Sequence, residues 1–172
     1  WAVRFDNQVA ADLLISAGAD VMVANLFDVT PLSLAAINGN GDMMRALLAA
    51  GADPNTRMAS GEAAILTAAR TGQADAIRTL VAYGGDVNAT QGAGQTPLMW
   101  AAAEGHLQAM RTLIEAGADI GARTIVPATP LRTGLEGPAP HGFTSLLFAV
   151  RAGHIEAVRL LLEAGANVND RL

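Results

Sequence analysis

The sequence predicts an all-α solenoid of helix-turn-helix units joined by β-hairpin-like loops. Two in-phase markers and the capping residues of each unit carry that expectation. Gly18, Gly51, Gly84 and Gly117 lie 33 residues apart, and each opens a Gly-small-Asp triplet ending at Asp20, Asp53, Asp86 or Asp119. A fifth copy, Gly165-Ala166-Asn167, follows after 48 residues, one period plus an insertion of 15. The second marker runs Thr30-Pro31-Leu32, Ala63-Ala64-Ile65 and Thr96-Pro97-Leu98, then takes the same longer step to Thr144-Ser145-Leu146. Each copy leads to a small pair: Ala35-Ala36, Ala68-Ala69, Ala101-Ala102 and Ala149-Val150. Self-similarity at this period means stacked units, none of which can bury its apolar face alone.

Within a unit, Thr is a good N-cap, and Pro suits the first helical position because its missing N–H would be unpaired there. The first helix is expected to end near Gly39, Gly72, Gly105 or Gly153. The second starts two or three residues later, with Asp42, Asp75 or Glu156 in its first turn, where the helix dipole favours an acid. Its buried side should carry Leu14 and Ile15, Leu47 and Leu48, Leu80 and Val81, Leu113 and Ile114, Leu161 and Leu162. The Gly of each triplet is a natural left-handed cap. Turn-rich segments from Asp53 to Gly61 and from Asp86 to Gly94 are expected to form protruding hairpins. One period before Ala35 lies Ala2, which places Trp1-Ala2-Val3 in the middle of a first helix whose start is missing. Neither end has a polar capping face, so the chain reads as an interior piece of a longer array.

The pattern closely resembles the ankyrin repeat family. Its best copies are Thr96-Pro97-Leu98-Met99-Trp100-Ala101-Ala102-Ala103-Glu104-Gly105-His106 and the run from Gly153-His154 through Leu160-Leu161-Leu162-Glu163-Ala164-Gly165-Ala166-Asn167. The resemblance covers the chain outside the insertion. It gives repeats over about 1–24 (truncated), 25–57, 58–90, 91–123 and 139–172, with an insertion loop over about 124–140. Some positions depart from the family pattern. Ala63-Ala64 replaces Thr-Pro, removing a cap worth about 0.5–2 kcal/mol. The usual His after Thr-Pro-Leu is Ser33, Leu66, Met99 or Leu147, so its hydrogen bonds must be lost or replaced by apolar packing. Asp6-Asn7 stands for Gly-His in the first repeat. The insertion holds Pro127, Pro130, Pro138 and Pro140, and an in-phase decoy, Thr129-Pro130-Leu131, that lacks the following Ala pair.

A net charge of −5 argues against a duplex nucleic-acid binder, which needs a basic stripe. All eleven basic residues are Arg, the bias of a GC-rich, bacterial type of genome. The absence of Cys excludes disulfides and thiolate metal sites, and fits cytoplasmic and periplasmic or secreted compartments alike. No apolar stretch approaches the ~18 residues of a membrane span.

The residues supply no credible active site. His106 and His154 occupy the family's Gly-His position, where they tie helix starts together. His154-Ile155-Glu156 has the His-x-Glu of zinc deaminases but no Cys partner. His141 is a loop histidine, and Gly92-Ala93-Gly94 lacks the Lys of a phosphate loop. Arg45, Arg78, Arg111 and Arg159 form one column, read as a solvated face with Arg111–Glu115 and Arg159–Glu163 pairs rather than an anion ladder. Trp1 and Trp100 share a column with Leu34, Thr67 and Phe148, read as packing.

The resemblance implies a non-enzymatic protein-binding or scaffolding module with no cofactor and no metal. Its partner would be a protein, met on the concave face of hairpin tips and first helices. Position by position, that face is represented by Phe5, Leu26, Phe27, Ile37, Asn38, Arg70, Glu104, Phe143 and Arg151. A rival reading makes the array one region of a larger enzyme or multi-subunit complex whose catalytic part lies outside these residues.

Overall fold

The computed structural model describes residues 1–125 and 142–169. Among them are nine α-helices: α1 (Gln8–Ser16), α2 (Pro31–Asn38), α3 (Gly41–Ala49), α4 (Ala64–Arg70), α5 (Ala74–Ala82), α6 (Pro97–Ala103), α7 (Leu107–Glu115), α8 (Ser145–Ala152) and α9 (Ile155–Glu163). The even-numbered first helices stack on one another as one layer, and the odd-numbered second helices as another. Each first helix also packs on the second helix that follows it.

Capping explains the boundaries. The hydroxyls of Thr30, Thr96 and Thr144 accept the N3 backbone N–H of α2, α6 and α8, and Pro31 and Pro97 sit at the first helical positions. α4 has Ala63 at its N-cap and so no side-chain cap. Where the family histidine is replaced, the expected loss is only partial. The Ser33 and Thr30 hydroxyls lie 3.1 Å apart, and Met99 Sδ accepts from Thr96 N, whereas Leu66 is simply buried. The helices end on left-handed glycines, among them Gly39 at φ 69° and Gly51 at φ 97°, a region that costs a side chain energy.

The core lies between the two layers. Ala35, Ala36, Ala68, Ala69, Ala101, Ala102 and Ala149 are fully buried, and their size lets the helices approach closely. Met43, Met44, Ile77, Leu80, Met110 and Leu113 fill the space behind them. Two expected core positions are exposed. Leu14 is 53% and Leu162 41% accessible; among the described residues the second helices that carry them each stack on one other second helix, α1 on α3 and α9 on α7. Residues 1–6 form turns rather than the helix expected around Trp1-Ala2-Val3.

The acid of each triplet has a local task. Asp20, Asp53, Asp86 and Asp119 each accept a backbone N–H two residues on. Asn55 then bridges repeats, donating to Gly84 O and accepting from Asp86 N. Asn88 accepts from Asp119 N in the same way. Antiparallel pairing at Arg57–Ala63 and Gln91–Gln95 closes the hairpins. Adjacent hairpins meet through Ala59 N to Phe27 O, and Ile125 N to Ala93 O.

Across the insertion, Thr124 N donates to Phe143 O, Phe143 N to Thr124 Oγ1, and Arg123 to Gly142 O. α8 stacks directly on α6, as the resumption of both markers requires. The four insertion prolines, the Thr129-Pro130-Leu131 decoy and His141 lie outside the described residues.

Candidate interaction face

The candidate binding residues come from hairpin tips and first helices, and the structure gives each a distinct setting. Leu26 and Phe27 occupy the first tip, 99% and 70% exposed. The side-chain oxygen of Asn25 organises that tip by accepting from Phe27 N and Val29 N. Asp28 there is left-handed at φ 54°, where the next two tips have Gly61 and Gly94. Such a tip holds two large apolar side chains out in water. Val29 is half-buried against the array, whereas Ile37 on α2 is exposed.

In the first repeat, Phe5 is exposed and its ring stacks on Trp1 at 5.9 Å. The Arg4 guanidinium lies 5.6 Å from the Trp1 ring centre. Trp1 is therefore a surface side chain, not a member of the expected packing column. It is exposed in spite of those two neighbours, whereas Thr67 at the equivalent position is buried. Asn38 is exposed but committed, donating to Val3 O.

Farther along, Arg70 at the end of α4 pairs with Glu62 at 3.0 Å, and the same Glu62 oxygen accepts from Thr67. Glu104 is exposed at the end of α6. Phe143 is half-buried, tilted against Phe148 at 5.4 Å and overlain by the Arg151 guanidinium at 5.8 Å. The structure thus forms two aromatic–arginine groups, at Trp1–Phe5–Arg4 and at Phe143–Phe148–Arg151. Sequence reasoning named Phe5, Phe143 and Arg151 but missed that each stacks within such a group.

The histidines are linkers between repeats. His106 Nε2 lies 3.1 Å from Arg70 O, and His154 Nε2 3.1 Å from Ala103 O. Their rings rest on Gly72 and Gly105. They connect a second-helix start to the end of the preceding repeat's first helix, rather than joining two helix starts. Glu156 pairs with Arg159 instead of serving a metal. No group of three or more His, Cys, Asp or Glu among the described residues is placed to hold a metal ion.

The arginine column is also corrected. Arg45 pairs with Asp42, Arg78 with Asp75 and Arg159 with Glu156, all three residues back along the helix. The expected forward pairs to Glu115 and Glu163 do not form. Arg159 takes the first-turn Glu156, an acid that the helix dipole also favours there, whereas α7 has no acid in its first turn to pair with Arg111.

A hollow of about 560 Å³ opens beside α1, lined by Trp1, Val3, Leu14, Leu34 and Leu47 among others. Its lining is mostly apolar.

Comparison with known proteins decides the family. The family model described as ankyrin repeats matches three overlapping stretches, residues 1–91, 32–124 and 93–171. The chain belongs to the ankyrin repeat family. No curated protein matches it. The general role of ankyrin repeats is protein binding, and the family is generally non-catalytic. No helix among the described residues is long and apolar enough to cross a membrane.

Proposed function

We propose that this ankyrin array is a non-enzymatic interaction module that engages a protein partner through its hairpin tips and first helices. The observation that carries the reading is the first tip, where Leu26 and Phe27 stand exposed on a hairpin whose backbone is fully organised. Large apolar side chains held in water on a rigid support suit an interface anchor. The tips also differ from repeat to repeat: Leu26-Phe27, Ala59-Ser60, Gly92-Ala93. Identical tips would read nothing specific, while the core beneath them keeps its pattern.

The double change Leu26→Ser with Phe27→Ser tests this reading. Affinity capture by the variant should lose the protein that the parent chain retains, with the far-ultraviolet circular dichroism of the two superimposable. Undiminished capture places the interface elsewhere, and substrate turnover by the isolated chain overturns the module reading.

A further inference from the structure

Charge is unevenly distributed between the hairpin and first-helix face and the rest of the described residues. The face can be defined from the hairpin's first arm to the end of the first helix, residues 56–71 in the third repeat and their equivalents. It carries five of the nine described arginines but only three of the fourteen described carboxylates, Asp28, Glu62 and Glu104. Its net charge is +2, against −7 for the other described side chains, which hold four arginines and eleven carboxylates. The acids of the Gly-small-Asp turns, Asp53, Asp86 and Asp119, lie just before each hairpin, each with one oxygen held by a backbone N–H.

Three of these arginines, Arg4, Arg70 and Arg151, take the same first-helix position in the first, third and fifth repeats. Arg4 lies over Trp1 and Arg151 over Phe143, which leaves their N–H groups for a further acceptor. Arg70 already holds Glu62, but a guanidinium has five donors and can take a second carboxylate. Ile37 and the Leu26–Phe27 tip lie between Arg4 and Arg70, so the face alternates cationic and apolar ground.

We propose that the segment bound on this face is an extended acidic–apolar peptide. Its apolar side chains cover Leu26, Phe27 and Ile37, and its carboxylates meet Arg70 and Arg151. Stacked helices lie about 8–10 Å apart, so these two arginines are separated by roughly 16–20 Å. An extended chain advancing about 3.3 Å per residue spans that in five or six residues. The partner's carboxylates are therefore spaced by about that number. The inference rests on the hairpin and first-helix face being the binding face.

Selection from a phage-displayed library of random linear peptides of about 16 residues, long enough to cross the array, tests it. The enriched sequences should carry apolar residues and Asp or Glu at that spacing. A fluorescein-labelled enriched peptide should bind Arg70→Glu/Arg151→Glu about tenfold more weakly, and more weakly as salt rises. Replacing its acids by Lys should restore affinity for that double variant. Enriched peptides that are neutral or basic, yet lost in Leu26→Ser/Phe27→Ser, overturn the acidic partner and leave the face intact. Peptides indifferent to both double variants overturn the face itself, and a library that yields no binder overturns an extended peptide as the occupant.

Discussion

At the scale of single residues, Gly72 shows how a repeat is locked to its neighbour. It is left-handed at φ +74°, and a Cβ placed there would come within 2.8 Å of the His106 ring. That ring is held by its hydrogen bond to Arg70 O, so it has nowhere to retreat without breaking the link between repeats. Gly72→Ala should therefore combine backbone strain with a steric clash, at a cost of about 2–4 kcal/mol. A urea titration checks this: a midpoint within error of the parent's would mean that the His106 contact is loose. Gly18, whose added Cβ would meet nothing within 4 Å at φ +83°, is the control in which only the backbone term remains. Gly18→Ala should cost about 1–2 kcal/mol. Asp28 makes the complementary point, since an aspartate occupies the left-handed tip position that glycine holds in the next two hairpins. Short polar side chains tolerate that region better than others.

At the scale of the element, α4 is the anomaly among the first helices. It has Ala63 at its N-cap and so no side-chain cap, where α2, α6 and α8 use a threonine. Thr30, Thr96 and Thr144 are as buried as Ala63, so the position accepts the larger residue elsewhere in the array. Ala63→Thr should place its hydroxyl to accept from Leu66 N, stabilising the chain by about 1 kcal/mol and raising Tm by a few degrees. No rise in a calorimetric scan would show that the third repeat's helix start differs from its neighbours. This gap was legible in the sequence, as were the glycine caps, the alanine floor and the two-helix unit, because each follows from a residue type at a fixed phase. The exposure of Leu14 and Leu162 was not legible. Their side chains match the core pattern, and their exposure follows from α1 and α9 each stacking on one other second helix among the described residues. The direction of the Arg159 pair was missed for a related reason: Glu156 and Glu163 both lie within reach along the helix, and the structure selects the one three residues back. The candidate site was legible as a set of positions, whereas the stacking of Arg4 on Trp1 and of Arg151 on Phe143 depends on side-chain placement that periodicity does not specify.

At the scale of the whole molecule, stability is distributed along a line, because among the described residues the helices of each repeat pack chiefly on one another and on those of adjacent repeats. The consequence is a gradient. Leu80 and Leu113 in the third and fourth repeats are fully buried, while Leu14 at their position in the first repeat is 53% exposed; in the fifth repeat Leu161 at that position is buried and Leu162 beside it is 41% exposed. Val150 is likewise 56% exposed, although Ala36, Ala69 and Ala102 at its position are fully covered by the next repeat. An outer repeat therefore gives up one interface when it opens, and an inner repeat gives up two. Native-state hydrogen exchange on this 172-residue chain should find the amides of α5, α6 and α7 most protected, and those of α1 and α9 least. The stacking of α8 on α6 across the insertion adds a sharper expectation. Because Thr124 and Phe143 are joined by two hydrogen bonds, protection should pass from the fourth repeat to the fifth without a break. A drop in protection beginning abruptly at α8, rather than falling off through α9, would mean that the insertion divides the array into two cooperative units. Protection of α1 equal to that of α6 would contradict the linear picture altogether, since nothing among the described residues covers its outer side.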